Sequence, residues 1–573
     1  MTRSRSAPVL FVALAVLTAV APVSDSHAQP SYAWHTMLYN ASVAEAQTVD
    51  ADGNIITVGI ANESWLGNGG EAPVHAYTTQ GNAWILKVDA DGNYVWHTFI
   101  GDNTTVSGRI YLDVVTDAAG DIYLTGNVWT GSVWNGPNGE LPLEAFHGGN
   151  LDGYVAKISS DGAYVWHRFI GPDGSTAVEA THAVAIDSKG DVYTTNSNLL
   201  GSYFVTKFSP SGAQVWQFNY GTAEQQATQG DIYIDSSDNI FVAHRTTLAK
   251  VFNGPGGESP VNTLSPSNAT GFHILKVDST ADYQWHTFLG GQVNGVPLKI
   301  SSDSNGDLYV AGDAFGSWLE DGVTPLHNFS GAADIFVEKT NADGVYQWHT
   351  FWGGDQTESG ISFRIDSDGR VVVSGQTDTN WLGANGTEPI APMLSSNGGV
   401  TIALGPDGSY QWHSFLNYPI QATATNASSL IVTGDGRYET NPDHVETNLL
   451  GANLQPPLSG DAVSSGLYVL KYNPAGPSSL EERAQTSNVR LHPNYPNPFS
   501  GSTAIRVELD RSTDVHLAVY DLMGRHVRTL ASGTFGPGVH TFEWDAAGAA
   551  PGVYHGRLES GVGGATIKLV VGT

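Results

Sequence analysis

Residues 94–100 read Tyr-Val-Trp-His-Thr-Phe-Ile, and the same word returns along the chain. Trp precedes His at Trp34-His35, Trp96-His97, Trp166-His167, Trp285-His286, Trp348-His349 and Trp412-His413, while Trp216 precedes Gln217. Successive copies lie 50 to 70 residues apart, the spacing of a repeat array. Around the third copy, Arg109–Asp117, Asp121–Gly126, Gly153–Ser159 and Ala163–Ile170 each read as a strand. The links Ala118-Ala119-Gly120 and Ser160-Asp161-Gly162 have hairpin chemistry. Four antiparallel strands repeated seven times predict an all-β chain folded as a seven-bladed β-propeller.

The ends of the array support a ring. The last unit offers Ala422–Thr425, Ser429–Thr433 and Leu467–Asn473 but no Tyr-x-Trp-His strand. Ser31–Asn40 is such a strand with no unit before it. It is predicted to complete the seventh blade and so remove two sticky edges. Strict alternation puts Tyr94, Trp96 and Thr98 on one face and Val95, His97 and Phe99 on the other. A buried Trp removes about 200 Å² from water, roughly 5 kcal/mol gross as an upper bound.

Composition narrows the function. Of 573 residues, 56 are acidic and 25 are Lys or Arg, a net charge of −31, which repels nucleic acid and anionic lipid. The absence of Cys excludes disulfides, zinc-thiolate sites, iron–sulfur clusters and Cys nucleophiles. The 67 Gly and 27 Pro fit many turns between short strands. No GxSxG, HExxH, GxxxxGK[ST] or helix-opening GxGxxG occurs, so no enzyme signature is present.

Residues 1–28 read as a signal peptide: Arg3 and Arg5, an apolar run from Ala7 to Val23, then Ser26-His27-Ala28 with cleavage between Ala28 and Gln29. No later segment is long and apolar enough for a membrane-spanning helix, so a soluble, exported mature chain is expected. Residues 31–473 form the propeller, 474–489 a polar Pro/Gly/Ser linker and 490–573 a small β-sandwich with turns every 8–12 residues.

The last region resembles a known family. NYPNPF at Asn494–Phe499, with Pro496, Asn497 and Pro498, is followed by VYDLMGR with Asp521, Gly524 and Arg525, then PGVYHGRL with Gly552 and Tyr554. These motifs resemble the C-terminal sorting domain of the type IX secretion system and the Ig-like domain of flagellar hook-capping proteins. The resemblance implies an Ig-like sandwich recognised by outer-membrane secretion machinery, and an extracellular or cell-surface destination. The repeat itself, as in DSNGDLYVAG and YQWHTFLGG, is similar to the bacterial SBBP propeller repeat, which implies an extracellular propeller and brings no catalytic residues.

Three constellations could carry chemistry. The repeated His falls on the fourth, outermost strand, so the copies lie far apart around the rim and read as structural or half-exposed positions, not as a metal ring. The turns at Asp50, Asp89, Asp303 and Asp366 echo a calcium loop but lack its twelfth-position Glu, so they read as hairpins and structural calcium is not favoured; no cofactor is expected. The inserts between second and third strands share an aromatic residue followed by Gly and Pro. Their aromatics, Trp65, Trp134, Phe252, Trp318 and Trp381, either form a surface for carbohydrate or protein, or tuck each loop onto the next blade. The leading expectation is an exported, non-catalytic binding protein with its ligand on the insert-bearing rim. The alternatives are a secreted polysaccharide-active enzyme (glycoside hydrolase or lyase) with carboxylates at the channel mouth, and a structural surface-layer component.

Overall fold

Hairpins set the architecture. At Asp89–Asn93 the Asp89 carboxylate accepts the backbone N–H of Asp91 and Asn93, and Gly92 takes φ +85°. Only Gly adopts that left-handed backbone cheaply. The same turn joins first to second strands at Asp50–Asn54. The computed structural model describes residues 31–473 and 489–571 apart from internal stretches, the longest being 102–111, 221–229 and 436–465. The signal segment with Ala28 and Gln29 lies outside the described residues, as does Phe252.

The fold is all-β, and helix among the described residues is limited to one 3-10 turn, Ala384–Gly386. Residues 31–473 supply seven four-stranded antiparallel sheets. The first comprises Ala44–Val49, Ile55–Ala61, Asn82–Val88 and Tyr94–Ile100. The second runs from Asp113–Thr116 to Tyr164–Ile170, the third from Glu179–Ile186 to Gln214–Tyr220, the fourth from Gly230–Ile234 to Tyr283–Leu289, the fifth from Lys299–Ser302 to Tyr346–Trp352 and the sixth from Glu358–Ile365 to Tyr410–Leu416. The seventh joins Ile420–Asn426, Ser429–Asp435 and Gly466–Asn473 to Ser31–Tyr39. That last pairing is antiparallel, with Leu38 opposite Leu467 and Trp34 opposite Lys471.

Apolar clusters sit between consecutive sheets. Trp84 and Leu86 of the first sheet pack with Ile431 and Val469 of the seventh. Ile85 and Ile100 of the first pack with Val114 and Leu124 of the second. A lysine-to-turn contact recurs at these junctions. Lys87 Nζ reaches the Ser160 carbonyl at 3.4 Å, Lys339 that of Pro406 at 3.2 Å, and Lys471 that of Ala90 at 2.9 Å. The third of these ties the seventh sheet to the first. Ala44 N–H also donates to Gln421 Oε1 at 3.0 Å across the same junction.

The expected two-face alternation of YVWHTF is wrong at its start. Lys87 pairs with Trp96 but Val88 pairs with Tyr94, so Val95 is an extra, bulged residue. A bulge resets the parity of the strand. Tyr94 therefore shares the face of His97 and Phe99. The same slip occurs in the second to sixth sheets.

Residues 489–571 form a three-stranded and a four-stranded sheet around one core of Phe499, Ile505, Leu517, Trp544, Tyr554 and Leu569. Phe499 and Tyr554 flank Trp544 at 5.4 and 5.2 Å, and the Asn494 amide donates to Thr503 Oγ1 at 2.8 Å. These motif residues thus hold the domain together. Arg525 is exposed. Asp521 pairs with Tyr554, and Gly552 with Val571. Pro496, Asn497, Pro498 and Gly524 lie outside the described residues.

Candidate functional site

The insert-bearing rim is built on the repeated histidine. The bulge brings Tyr94 over His97, whose Nδ1 accepts the phenol at 2.7 Å. His97 Nε2 then donates to the Trp65 carbonyl at 3.2 Å. Tyr164–His167–Trp134, Tyr346–His349–Trp318 and Tyr410–His413–Trp381 repeat both bonds. Each indole also stacks on its imidazole, with ring centres from 3.6 Å at Trp134 to 5.3 Å at Trp318 and interplanar angles of 14° or less. Both ring nitrogens are satisfied only by the neutral imidazole. Burial holds His167, His349 and His413 down at about 4, against a smaller upward pull from the Trp carbonyl.

Trp65, Trp134, Trp318 and Trp381 are 7, 2, 3 and 8% exposed, so no free indole face is left for a ligand. These four aromatics anchor their loops. The histidines are not half-exposed either: His97, His167, His349 and His413 are buried. The Gly two residues after Trp65, Trp134, Phe252 and Trp381 has a steric cause, because a Cβ at Gly67, Gly136, Gly254 or Gly383 would strike the ring of Tyr94, Tyr164, Tyr283 or Tyr410.

Beyond each anchor, the insert returns along the edge of its own fourth strand. Val74 N–H donates to the His97 carbonyl at 2.9 Å, and Phe99 N–H to that of His75 at 3.3 Å. Leu143, Val261 and Leu326 repeat the first bond on His167, His286 and His349, with the second made by Phe169, Phe288 and Phe351. These short hems cover the backbone edge that an outermost strand exposes. The inserts also display apolar side chains: Leu66, Leu319 and Leu382, each following a buried Trp, are 59, 50 and 53% exposed.

Several of the Asp turns carry a lysine from a neighbouring strand. Lys87 sits 2.9 Å from Asp50, and Lys157, Lys207 and Lys339 lie 2.9 Å from Asp121, Asp191 and Asp307. No group of three or more His, Asp or Glu side chains suited to a metal occurs among the described residues.

Two features escaped the sequence reading. Asp113, Asp231, Lys299 and Arg364 come from four different first strands into mutual electrostatic reach, with Lys299 Nζ 3.3 Å from Asp231; burial pushes the Asp113 carboxyl up. His244 and His273 face each other on adjacent strands with ring centres 4.7 Å apart, where other sheets pair Gly with an aromatic, as at Gly312 and Phe336. A register comparison of the copies would have found both.

Likeness to known proteins bears on the two regions separately. Residues 494–572 match the secretion system C-terminal sorting domain. This domain marks the chain for export to the cell surface or beyond, through the secretion machinery that reads it. No helix among the described residues is long and apolar enough to cross a membrane. The regulatory protein FlaEY of Caulobacter vibrioides is 29% identical over 144 residues, 25% of this chain; the chain spans only 15% of that relative's length. Among solved structures, BamB from Moraxella catarrhalis is 9% identical, over 78% of this chain and 99% of its own, with a TM-score of 0.35. The periplasmic gluconolactonase of Pseudomonas aeruginosa is 12% identical, over 66 and 94%, with a TM-score of 0.34.

Proposed function

We propose that the chain is an exported, non-catalytic binding protein. Residues 31–473 are read as a closed seven-bladed propeller of SBBP type, 474–489 as a linker and 490–573 as an Ig-like sorting domain. Closure is supported by the shared lysine-to-turn contact at the seventh–first junction and by contacts linking the first strands of all seven sheets in a cycle. The ligand, a carbohydrate or protein, sits on the insert-bearing rim and needs no cofactor. One observation carries this reading: each Trp-Leu pair buries the Trp and turns the Leu outward, so the rim presents the same apolar side chain at Leu66, Leu319 and Leu382. Exposed apolar groups repeated on one rim suit a large partner.

The test is a glycan and surface-protein array with a Leu66→Asp/Leu319→Asp/Leu382→Asp variant. The parent's hits should weaken at least tenfold at unchanged thermal stability; equal binding would refute the rim. Separately, deleting residues 490–573 should leave the protein in the periplasm, and normal export would overturn the sorting role.

A secreted polysaccharide-active enzyme is the second reading. Asp113, with its raised carboxyl beside the Asp231–Lys299 pair, is the observation favouring it. Release of reducing ends that Asp113→Asn abolishes would establish it over the first.

A further inference from the structure

The third sheet departs from the repeat at one edge. Four residues, 199–202, separate its second and third strands, Val192–Asn198 and Tyr203–Phe208, so it has no insert long enough to return along its fourth strand. That strand, Gln214–Tyr220, is largely exposed, whereas Tyr94–Ile100 of the first sheet is buried from Trp96 onward. The sequence has adapted. Gln217 stands where the repeat has His, and its amide donates to Asn219 rather than to a Trp carbonyl. Asn219 replaces the Phe that elsewhere packs against the insert Trp.

The register shows which groups are left open. Gln217 pairs with Thr206 as His97 pairs with Leu86, and Asn219 with Phe204 as Phe99 pairs with Trp84. The Gln217 carbonyl and Asn219 N–H therefore occupy the places that bind the hem in the first, second, fourth and fifth sheets. Among the described residues neither backbone group has a partner on that side. A bare edge strand accepts an added strand.

We propose that Gln214–Tyr220 is the docking edge for an extended segment of a partner protein, chemically like the hems this chain makes for itself: a Pro, then an aliphatic residue, then a polar one, as in Pro73-Val74-His75. The aliphatic N–H donates to Gln217 and the next carbonyl accepts from Asn219. The neighbouring sheet limits the aliphatic side chain. In the hemmed sheets it lies against a turn glycine: a Cβ at Gly162 would stand 3.1 Å from Val74, and one at Gly212 would run into Leu143. The fourth sheet has Ala281 at that turn position, at φ +69°. By the same measure its methyl asks a Val to shift by only a few tenths of an ångström but overlaps a Leu outright. The edge therefore selects a Pro-Val segment over a Pro-Leu one.

The test uses the full chain and two peptides copied from its own hems, EAPVHAY (Glu71–Tyr77) and ELPLEAF (Glu140–Phe146). The first is expected to bind at least tenfold more tightly and to slow amide exchange at Asn219. Asn219→Pro, which removes the outward donor and which an edge strand tolerates, should abolish binding. Ala281→Gly should restore the Leu peptide. If the proline variant does not fold, grafting the first sheet's insert into the 199–202 loop must block the edge instead. Equal affinity for both peptides, protection elsewhere, or a chain that dimerises through this strand without admitting the peptide would overturn the proposal.

Discussion

The first and third sheets start from the same repeat and finish with opposite edges. In the first, a long insert supplies Trp65, the Trp65 carbonyl satisfies His97, and the insert's return covers Phe99. In the third the insert is short, and His and Phe give way to Gln217 and Asn219. The pattern is physical. A buried imidazole needs a partner for each nitrogen, and leaving one orphaned costs about 1–3 kcal/mol. Without the Trp carbonyl, an exposed amide is the better occupant. Insert Trp, His and Phe occur together in the first, second, fifth and sixth sheets, and all three are missing from the third.

The largest test of that set is Trp134→Ala, which empties a fully buried, stacked position. We expect a loss of about 3–5 kcal/mol in denaturant unfolding, with faster amide exchange at Phe169 as its hem is freed. Gly383→Ala pushes a methyl into Tyr410 and should cost about 1–3 kcal/mol. A smaller change at Gly383 would show that the loop is not held where the stacking requires. Next comes a reciprocal pair. His167→Gln should lose about 1–3 kcal/mol because Tyr164 and the Trp134 carbonyl lose their partner, whereas Gln217→His on the bare edge should stay within about 0.5 kcal/mol. Equal effects would break the comparison. Ala281→Gly relieves a left-handed non-glycine backbone and should gain about 0.5–1 kcal/mol in thermal unfolding.

Titration sharpens the comparison without a variant. His167, His349 and His413 have folded pKa values lowered to about 4 from an ordinary 6.5. The folded state thus binds fewer protons than the unfolded one. Their contribution is complete above about pH 6.5 and is lost as pH falls toward about 4. Asp313 and Glu358, raised by burial to about 7, act the other way: their contribution is complete below about pH 4 and is lost as pH rises through 7. The two trends oppose each other in global stability, so the histidines must be read singly. Imidazole NMR signals should stay neutral down to about pH 4 at these three sites; titration near 6.5 would contradict the buried Tyr–His–Trp geometry.

The repeat, the four-strand unit and the Ser31–Tyr39 pairing with Gly466–Asn473 were legible because they rest on spacing and on an unmatched strand. Directions of side chains were less so. Strict alternation failed at Val95, since a bulge leaves no mark in composition, and with it failed the face assigned to Tyr94. Trp65 and Trp381 had two readings, and only burial chose between them. Gln217 was seen as an exception, but its cause lay in a hydrogen bond to a residue some 30 positions away in the other copies.

The Leu38–Leu467 pairing also has a kinetic side. A strand near the start of the exported chain finds its mate only after more than four hundred intervening residues have emerged. Closing so long a loop is entropically costly and slow. Pairing of these two strands is therefore expected to be the slow step in closing the seventh sheet, and both strands precede the sorting domain in the chain.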